Sequence, residues 1–267
     1  MKGLKIQIVF FYYDRPKLVR KMALKTVFES SYDNWELSII DDSTDQNSDD
    51  VMKKFYEENP QFSSKRDDVK IFKTSDTLEE KKQRGDAIFG KFANDAMYAS
   101  DADICIMLCD DDGVTKNYFS DLNTFFTDNP EASHSYCRVV VYNPIEGGKV
   151  QRALGEWIEG GNSGLNYEKF NHTPDNWLNL RDDTTRLFNI IDSSMVSWRR
   201  TKAIEDAILF NYPKTANLDA DLYSTMDYKW GDCQFNGIIG QYKAFWDGQL
   251  GNIQWSGQDE RYVPTDI

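Results

Sequence analysis

The chain opens on an unbroken apolar run. Lys5–Tyr13 (KIQIVFFYY) is dense in β-branched and aromatic residues, the pattern of a strand covered on both faces. Asp14-Arg15-Pro16 stops it, with Asp as a good helix N-cap and Pro tolerated in the first turn. Leu18, Met22 and Val19, Ala23, Val27 then recur at helical spacing to about Ser31. Trp35–Ile40 is predicted to be a second strand, ending in Asp41-Asp42. Ser48–Glu58 reads as a second helix closed by Asn59-Pro60, and Val69–Lys73 as a short third strand. Leu78–Ala99 is predicted as a long helix with Ala87, Ile88, Phe92 and Ala96 on one side. Asp103–Cys109 is a fourth strand, ending in Asp110-Asp111-Asp112. This alternation predicts an α/β fold with a mostly parallel sheet, right-handed crossovers and helices on both faces.

The second half is less regular. Asn117–Thr127 reads as a helix. Ser135–Tyr142 and Lys149–Leu154 read as a hairpin joined through Asn143-Pro144 and Gly147-Gly148. Phe188–Trp198 is strand-like, and Thr201–Leu209 and Asp219–Tyr228 read as helices. The tail from Asp247 has no clear period. No internal repeat or low-complexity linker divides the chain, so residues 1–267 are expected to form one domain, with a nucleotide-binding half (1–116) and a mixed acceptor-binding half (117–267).

Composition changes this picture in three ways. The net charge of −13 lowers the prospect of a DNA partner, because phosphate neutralisation needs clustered Lys and Arg. No run of roughly 18 apolar residues exists, so no membrane span is expected. The four cysteines lack metal-type pairing, and Cys105 and Cys109 are too far apart along a strand to bridge. With Met1-Lys2-Gly3 leading into the first strand rather than a signal peptide, a reducing, cytoplasmic location is expected.

Candidate chemistry follows from where the acids fall. In an open parallel α/β sheet, ligands bind beyond the carboxyl ends of the strands. Asp14, Asp41-Asp42 and Asp110-Asp111-Asp112 end three different predicted strands and so converge on one edge. Gathered carboxylates repel unless a cation or hydrogen bonds offset them. Oxygen ligands with no His or Cys nearby suit Mg²⁺ or Mn²⁺ rather than Zn²⁺. Such an ion could neutralise a departing nucleoside diphosphate. The ordinary reading of an Asp-Asp after a strand is a turn or a cap; the coincidence at three strand ends favours a site.

These residues resemble a family. The first 120 or so are similar to the inverting family-2 glycosyltransferases of the GT-A, Rossmann-like fold. Ile8–Pro16 resembles that family's opening strand and its Asn/Asp-Arg-Pro turn. Trp35–Asp45 (WELSIIDDSTD) resembles the second-strand motif but lacks its glycine. Lys81–Asp86 (KKQRGD) stands where the family carries an Arg, and Asp103–Asn117 resembles its Asp-x-Asp segment, with two registers open. Asn189–Arg200 (NIIDSSMVSWRR), with Tyr262-Val263-Pro264, looks closer to the spore-coat polysaccharide branch. The resemblance implies a nucleotide-sugar donor, by default a UDP-sugar, and transfer to a hydroxyl with inversion. It implies that Asp14 and Asp42 lie against base and ribose with Asp41 as an alternate, and that Arg84 faces base or phosphates. Asp110 would contact the ribose or a metal water. Asp111 would hold the ion, with Asp112 a second ligand.

Inversion by direct displacement needs a carboxylate to deprotonate the acceptor hydroxyl. Asp192, matching the branch's base, is preferred over Asp219, which resembles an acidic motif of other family-2 enzymes. Either could instead cap a turn or lead a helix. Arg199 and Arg200 could pair with diphosphate or with these carboxylates; an exposed pair leading a helix is the other reading. The segments Gly155–Gly164 and Gly248–Gly257 suit acceptor-side loops, with satellite core packing equally in view. His134 and His172 have no Ser or Cys partner pattern, so triad chemistry is unsupported.

Two other classes compete. A nucleotidyltransferase would be expected to carry a glycine- and Lys/Arg-rich loop after the first strand, where this chain has Tyr12–Pro16. A non-catalytic nucleotide-sugar-binding protein would not need the intact acidic triplet. The acceptor stays open between a glycan and a modified base in phage DNA, the latter disfavoured by net charge.

Overall fold

The computed structural model describes residues 3–13, 15–43, 47–77, 79–80, 83, 88–110, 112–142, 150–151, 196–211, 218–231 and 233–244. Among them, nine strands form one mixed sheet. They are β1 (Ile6–Tyr12), β2 (Trp35–Asp41), β3 (Val69–Lys73), β4 (Ile104–Cys109), β5 (Asp112–Val114), β6 (His134–Tyr142), β7 (Val150–Gln151), β8 (Val196–Arg199) and β9 (Gln234–Ala244). Their spatial order is β3-β2-β1-β4-β8-β6-β9-β5, with β7 paired to β6.

The α/β architecture expected from the sequence is present. β3, β2, β1 and β4 are mutually parallel, in a register that sets Tyr12 beside Asp41, Asp41 beside Lys73, and Phe11 beside Cys109. β1, β2 and β4 are almost wholly buried, so their continuous apolar runs are the signature of strands sandwiched between helices. One face takes the Pro16–Phe28 segment and the Ser48–Glu58 helix, whose Phe28 and Phe55 pack with Trp35 and Phe62. The Ile88–Tyr98 helix covers the other, with Phe89 edge-on to Phe11. Polarity reverses at β8, which runs antiparallel to β4 and β6. The expected hairpin appears as β6 against β7.

Two local features depart from the sequence reading. The first helix is not a regular α-helix: Val19–Ala23 is a π-helical turn between short α-helical stretches. Its N-cap position falls on Arg15, whose side chain makes no capping hydrogen bond, rather than on Asp14. β5 and the eleven-residue β9 were not anticipated at all. The cysteines 105, 109, 137 and 233 are all free thiols, as expected.

Candidate active site at the carboxyl edge of the sheet

β1 lies between β2 and β4, and the chain moves from β1 to β2 on one side before reaching β4 on the other. The carboxyl ends of β1 and β4 therefore flank the topological switch point, where α/β sheets open a crevice for ligands. Asp110 stands there, its side chain only 6% exposed. Its Oδ2 accepts from the backbone N–H of Tyr13 at 2.9 Å, and Arg15 Nη1 donates to its Oδ1 at 2.7 Å. Both carboxylate oxygens thus reach across the crevice to the turn after β1. Tyr13 itself presents its ring to solvent, 55% exposed. A flat aromatic at the mouth of such a crevice can stack on a base or a sugar.

Asp41 and Asp42 divide in role. Asp41 is buried, its Oδ1 accepting from Ser43 N–H and its Oδ2 from the Ser48 N–H and hydroxyl. It ties the end of β2 to the start of the Ser48–Glu58 helix. Asp42 is the next residue along, half-buried, with its N–H donating to the Tyr12 carbonyl at 3.3 Å. At the end of β3, Lys73 ion-pairs with Asp49, a hydrogen bond that raises the lysine's pKa above its ordinary value. Lys73 and Arg15 are cations at this edge that the sequence reading gave no role; the signal for Lys73 was a lysine closing an apolar strand.

Asp112 is fully buried and Oδ2 accepts from Cys109 N–H at 2.9 Å, closing the turn that separates β4 from β5. Gly113 follows because the Pro16–Phe28 segment passes close by. A Cβ there would sit 3.1 Å from both Met22 Cγ and Thr26 Oγ1. Thr26 Oγ1 donates to the Met22 carbonyl and accepts from Val114 N–H, so the π-helical turn and β5 are stitched together directly behind the acidic triplet.

Asp14, Arg84, Asp111 and Asp192 lie outside the described residues, as do His172 and the glycine- and tryptophan-bearing segments 155–164 and 248–257. Asp219 falls in the first turn of the Leu218–Trp230 helix. That helix ends at Trp230, against Asp206 and His134. Near its start, Asp221 accepts from Asn211, just beyond Phe210, whose ring packs on Phe11. The helix therefore begins on the carboxyl-edge side of the molecule. His134 is buried beside Ser133 and Trp230, a packed core histidine.

Strand direction sets where Arg199, the last residue of β8, and Arg200, the next, lie. Because β8 runs against β4, Arg199 sits opposite Ile104, at the amino ends of the parallel strands. Arg199 donates to the carbonyls of Ala132, Phe126 and Asn129, and Arg200 to those of Ala102 and Met97. Both clamp loop and helix ends on the edge opposite the acids, so neither is placed to meet a diphosphate there.

Among the described residues, no group of three His, Cys, Asp or Glu side chains is disposed to hold a metal ion. Asp110 and Asp112, the described members of the triplet, already accept from an arginine and from backbone N–H groups. No helix among the described residues is long and apolar enough to cross a membrane.

Comparison with solved structures fixes the fold type. The chain is similar to S. aureus TarS residues 1–349, at 13% identity and a TM-score of 0.58 over 90% of this chain and 60% of that one. The same protein solved in complex with UDP gives 15% and 0.59 at the same coverage. The complex with UDP-GlcNAc gives 14% and 0.57, covering 90% of this chain and 58% of that one. The likeness shows the fold, which is of the GT-A type. The chain spans about 60% of the length of these solved chains. No protein-family model matches the sequence. No curated protein matches it either.

Proposed function

We propose that this chain is a glycosyltransferase that takes a sugar from a nucleoside diphosphate donor, a UDP-sugar by preference, and passes it to an acceptor hydroxyl with inversion. The observation that carries the reading is the Asp110–Arg15 link, which joins the carboxyl ends of β4 and β1 at the switch point of a GT-A-like sheet. Two further points support it: the resemblance of the acidic motifs to those of family 2, and a fold shared with a protein solved with UDP and UDP-GlcNAc.

In this reading the donor lies along the carboxyl edge. The Tyr13 ring and Asp42 flank base and ribose, with Asp14 beside them and Arg84 toward base or phosphates; Asp41 is left to its capping role. Asp111 is the member of the triplet through which Mn²⁺ or Mg²⁺ would act, supplying charge neutralisation at the diphosphate when bound. The chain's own residues in this reading bind and orient the donor and remove the acceptor's proton. Asp192 is the preferred base. It lies four residues before Val196, and β8 begins at the carboxyl-edge end of its pairing with β4. The intervening backbone reaches at most about 14 Å. Asp219, in a helix that begins on the same side, is the second candidate. The spore-coat polysaccharide branch, and with it a glycan acceptor, rests on the Asn189–Arg200 resemblance.

A thermal-shift screen with UDP-, GDP-, CMP- and dTDP-sugars, each with and without Mn²⁺, tests this directly. A ligand at about 100 times its Kd adds roughly 2.7 kcal/mol of stability, an easily read shift. Stabilisation by one nucleotide class is expected. If no nucleotide moves the transition under either condition, the donor site is not there.

A further inference from the structure

Arg15 occupies an N-cap position, yet its side chain does no capping and extends instead across the crevice to Asp110. A buried carboxylate needs a counter-charge, because its desolvation is otherwise uncompensated. Asp110 has one within the chain: the guanidinium on Oδ1, with the Tyr13 N–H on Oδ2. Asp112, the other described acid of the triplet, is turned back onto Cys109 N–H. Thus Asp110 and Asp112 each turn a carboxylate oxygen toward a protein donor.

We infer that Arg15 is a positioning residue, a resident counter-cation that withholds Asp110 from a divalent ion and keeps its charge off the donor's phosphates. This rests on the donor-site reading above. A protein cation held at 2.7 Å takes over part of the neutralisation that an acidic cluster would otherwise demand from a metal. Removing it would take the guanidinium's charge from Asp110, leave the Tyr13 N–H in place, and open Oδ1 to a divalent ion.

The test is calorimetric titration of the full chain with UDP and with uridine, each with and without Mn²⁺. It compares the unaltered protein with Arg15→Gln, Arg15→Lys, Asp110→Asn and the double variant Arg15→Gln/Asp110→Asn. Arg15→Gln is expected to weaken metal-free UDP binding by about tenfold or more while leaving uridine within about twofold. Mn²⁺ should recover more affinity in Arg15→Gln than in the unaltered protein, and Arg15→Lys should lie between them. Adding Asp110→Asn should cancel the Arg15→Gln loss, since the charge to be screened is then gone. The double variant also keeps the test open if Arg15→Gln alone folds poorly. Unchanged UDP affinity in Arg15→Gln, or losses that simply add in the double variant, would overturn the assignment while the donor site stands. Failure of the unaltered protein to bind UDP or uridine under any condition sinks the donor-site reading, and this inference falls with it.

Discussion

The Asp41 carboxylate closes on Ser48 twice, accepting its backbone N–H at 2.7 Å and its hydroxyl at 2.6 Å. One side chain thus joins the end of a central strand to the start of the helix that packs on it. Asp41→Ala leaves these buried donors without their acceptor and should cost about 1–3 kcal/mol in urea unfolding. UDP binding should survive in the folded fraction. A large loss of nucleotide affinity with unchanged stability would return Asp41 to the donor site.

Thr26 supports the acidic triplet from behind. Thr26→Val keeps the shape but removes the acceptor for the buried Val114 N–H. A loss of about 1–3 kcal/mol is expected from the unfolding midpoint. Gly113→Val should do worse, since its methyls extend beyond a Cβ position already tight against Met22 and Thr26.

Arg199 and Arg200 give a clean separation of stability from binding. Arg199→Met removes the donors that hold three loop and helix carbonyls and should lower the melting temperature. The additional shift produced by saturating UDP should be the same as in the unaltered protein. A selective loss of the UDP-dependent shift would mean that the amino edge communicates with the donor.

For the base, Asp192→Asn is expected to abolish sugar transfer, by about a thousandfold or more, with UDP affinity near normal. Product formation and calorimetric binding measured on the same preparation decide it. Full transfer in that variant moves the role to Asp219, whose own Asn variant is the matched control.

Tyr56 provides a pH signature of folding. Burial pushes its phenol up to about 12 from an ordinary 10.0, with Arg66 stacked on its ring pulling the other way. A proton held more tightly in the folded state adds stability that is fully present below pH 10. That contribution is lost as the pH rises through about 12. Its buried hydroxyl has no hydrogen-bond partner among the described residues, so Tyr56→Phe should be close to neutral at pH 7. The same variant should flatten the alkaline decline in stability; an unchanged decline would assign it to another group.

The parallel half of the fold was legible because each element is encoded locally. β1, β2 and β4 are continuous apolar runs, and Ser48–Glu58 and Val69–Lys73 have the predicted bounds. β9 was not legible. Gln234–Ala244 contains Gly237 and Gly240 and no alternation, and its partners β5 and β6 are remote in sequence. The π-helical turn is hidden too, since Leu18, Met22 and Val19, Ala23, Val27 fit an α-helical period just as well. At the site, the motif acids could be read from strand ends, but which acid does what could not. Asp110 meets Arg15 across 95 residues, a contact that exists only through the β1–β4 register. The edge on which Arg199 and Arg200 fall was left open, because nothing in NIIDSSMVSWRR states which way the strand runs.

The outer side of β4 is covered by β8, which comes from the far half of the chain. Cutting the protein after Lys116 would therefore uncover the backbone N–H and C=O groups of an Ile-Cys-Ile-Met-Leu-Cys strand along a bare sheet margin. Such a margin is a template for pairing with another chain, and residues 1–116 made alone should associate or precipitate rather than stay monomeric. The later part of the chain thus supplies, through β8, the strand that closes this margin of the parallel sheet.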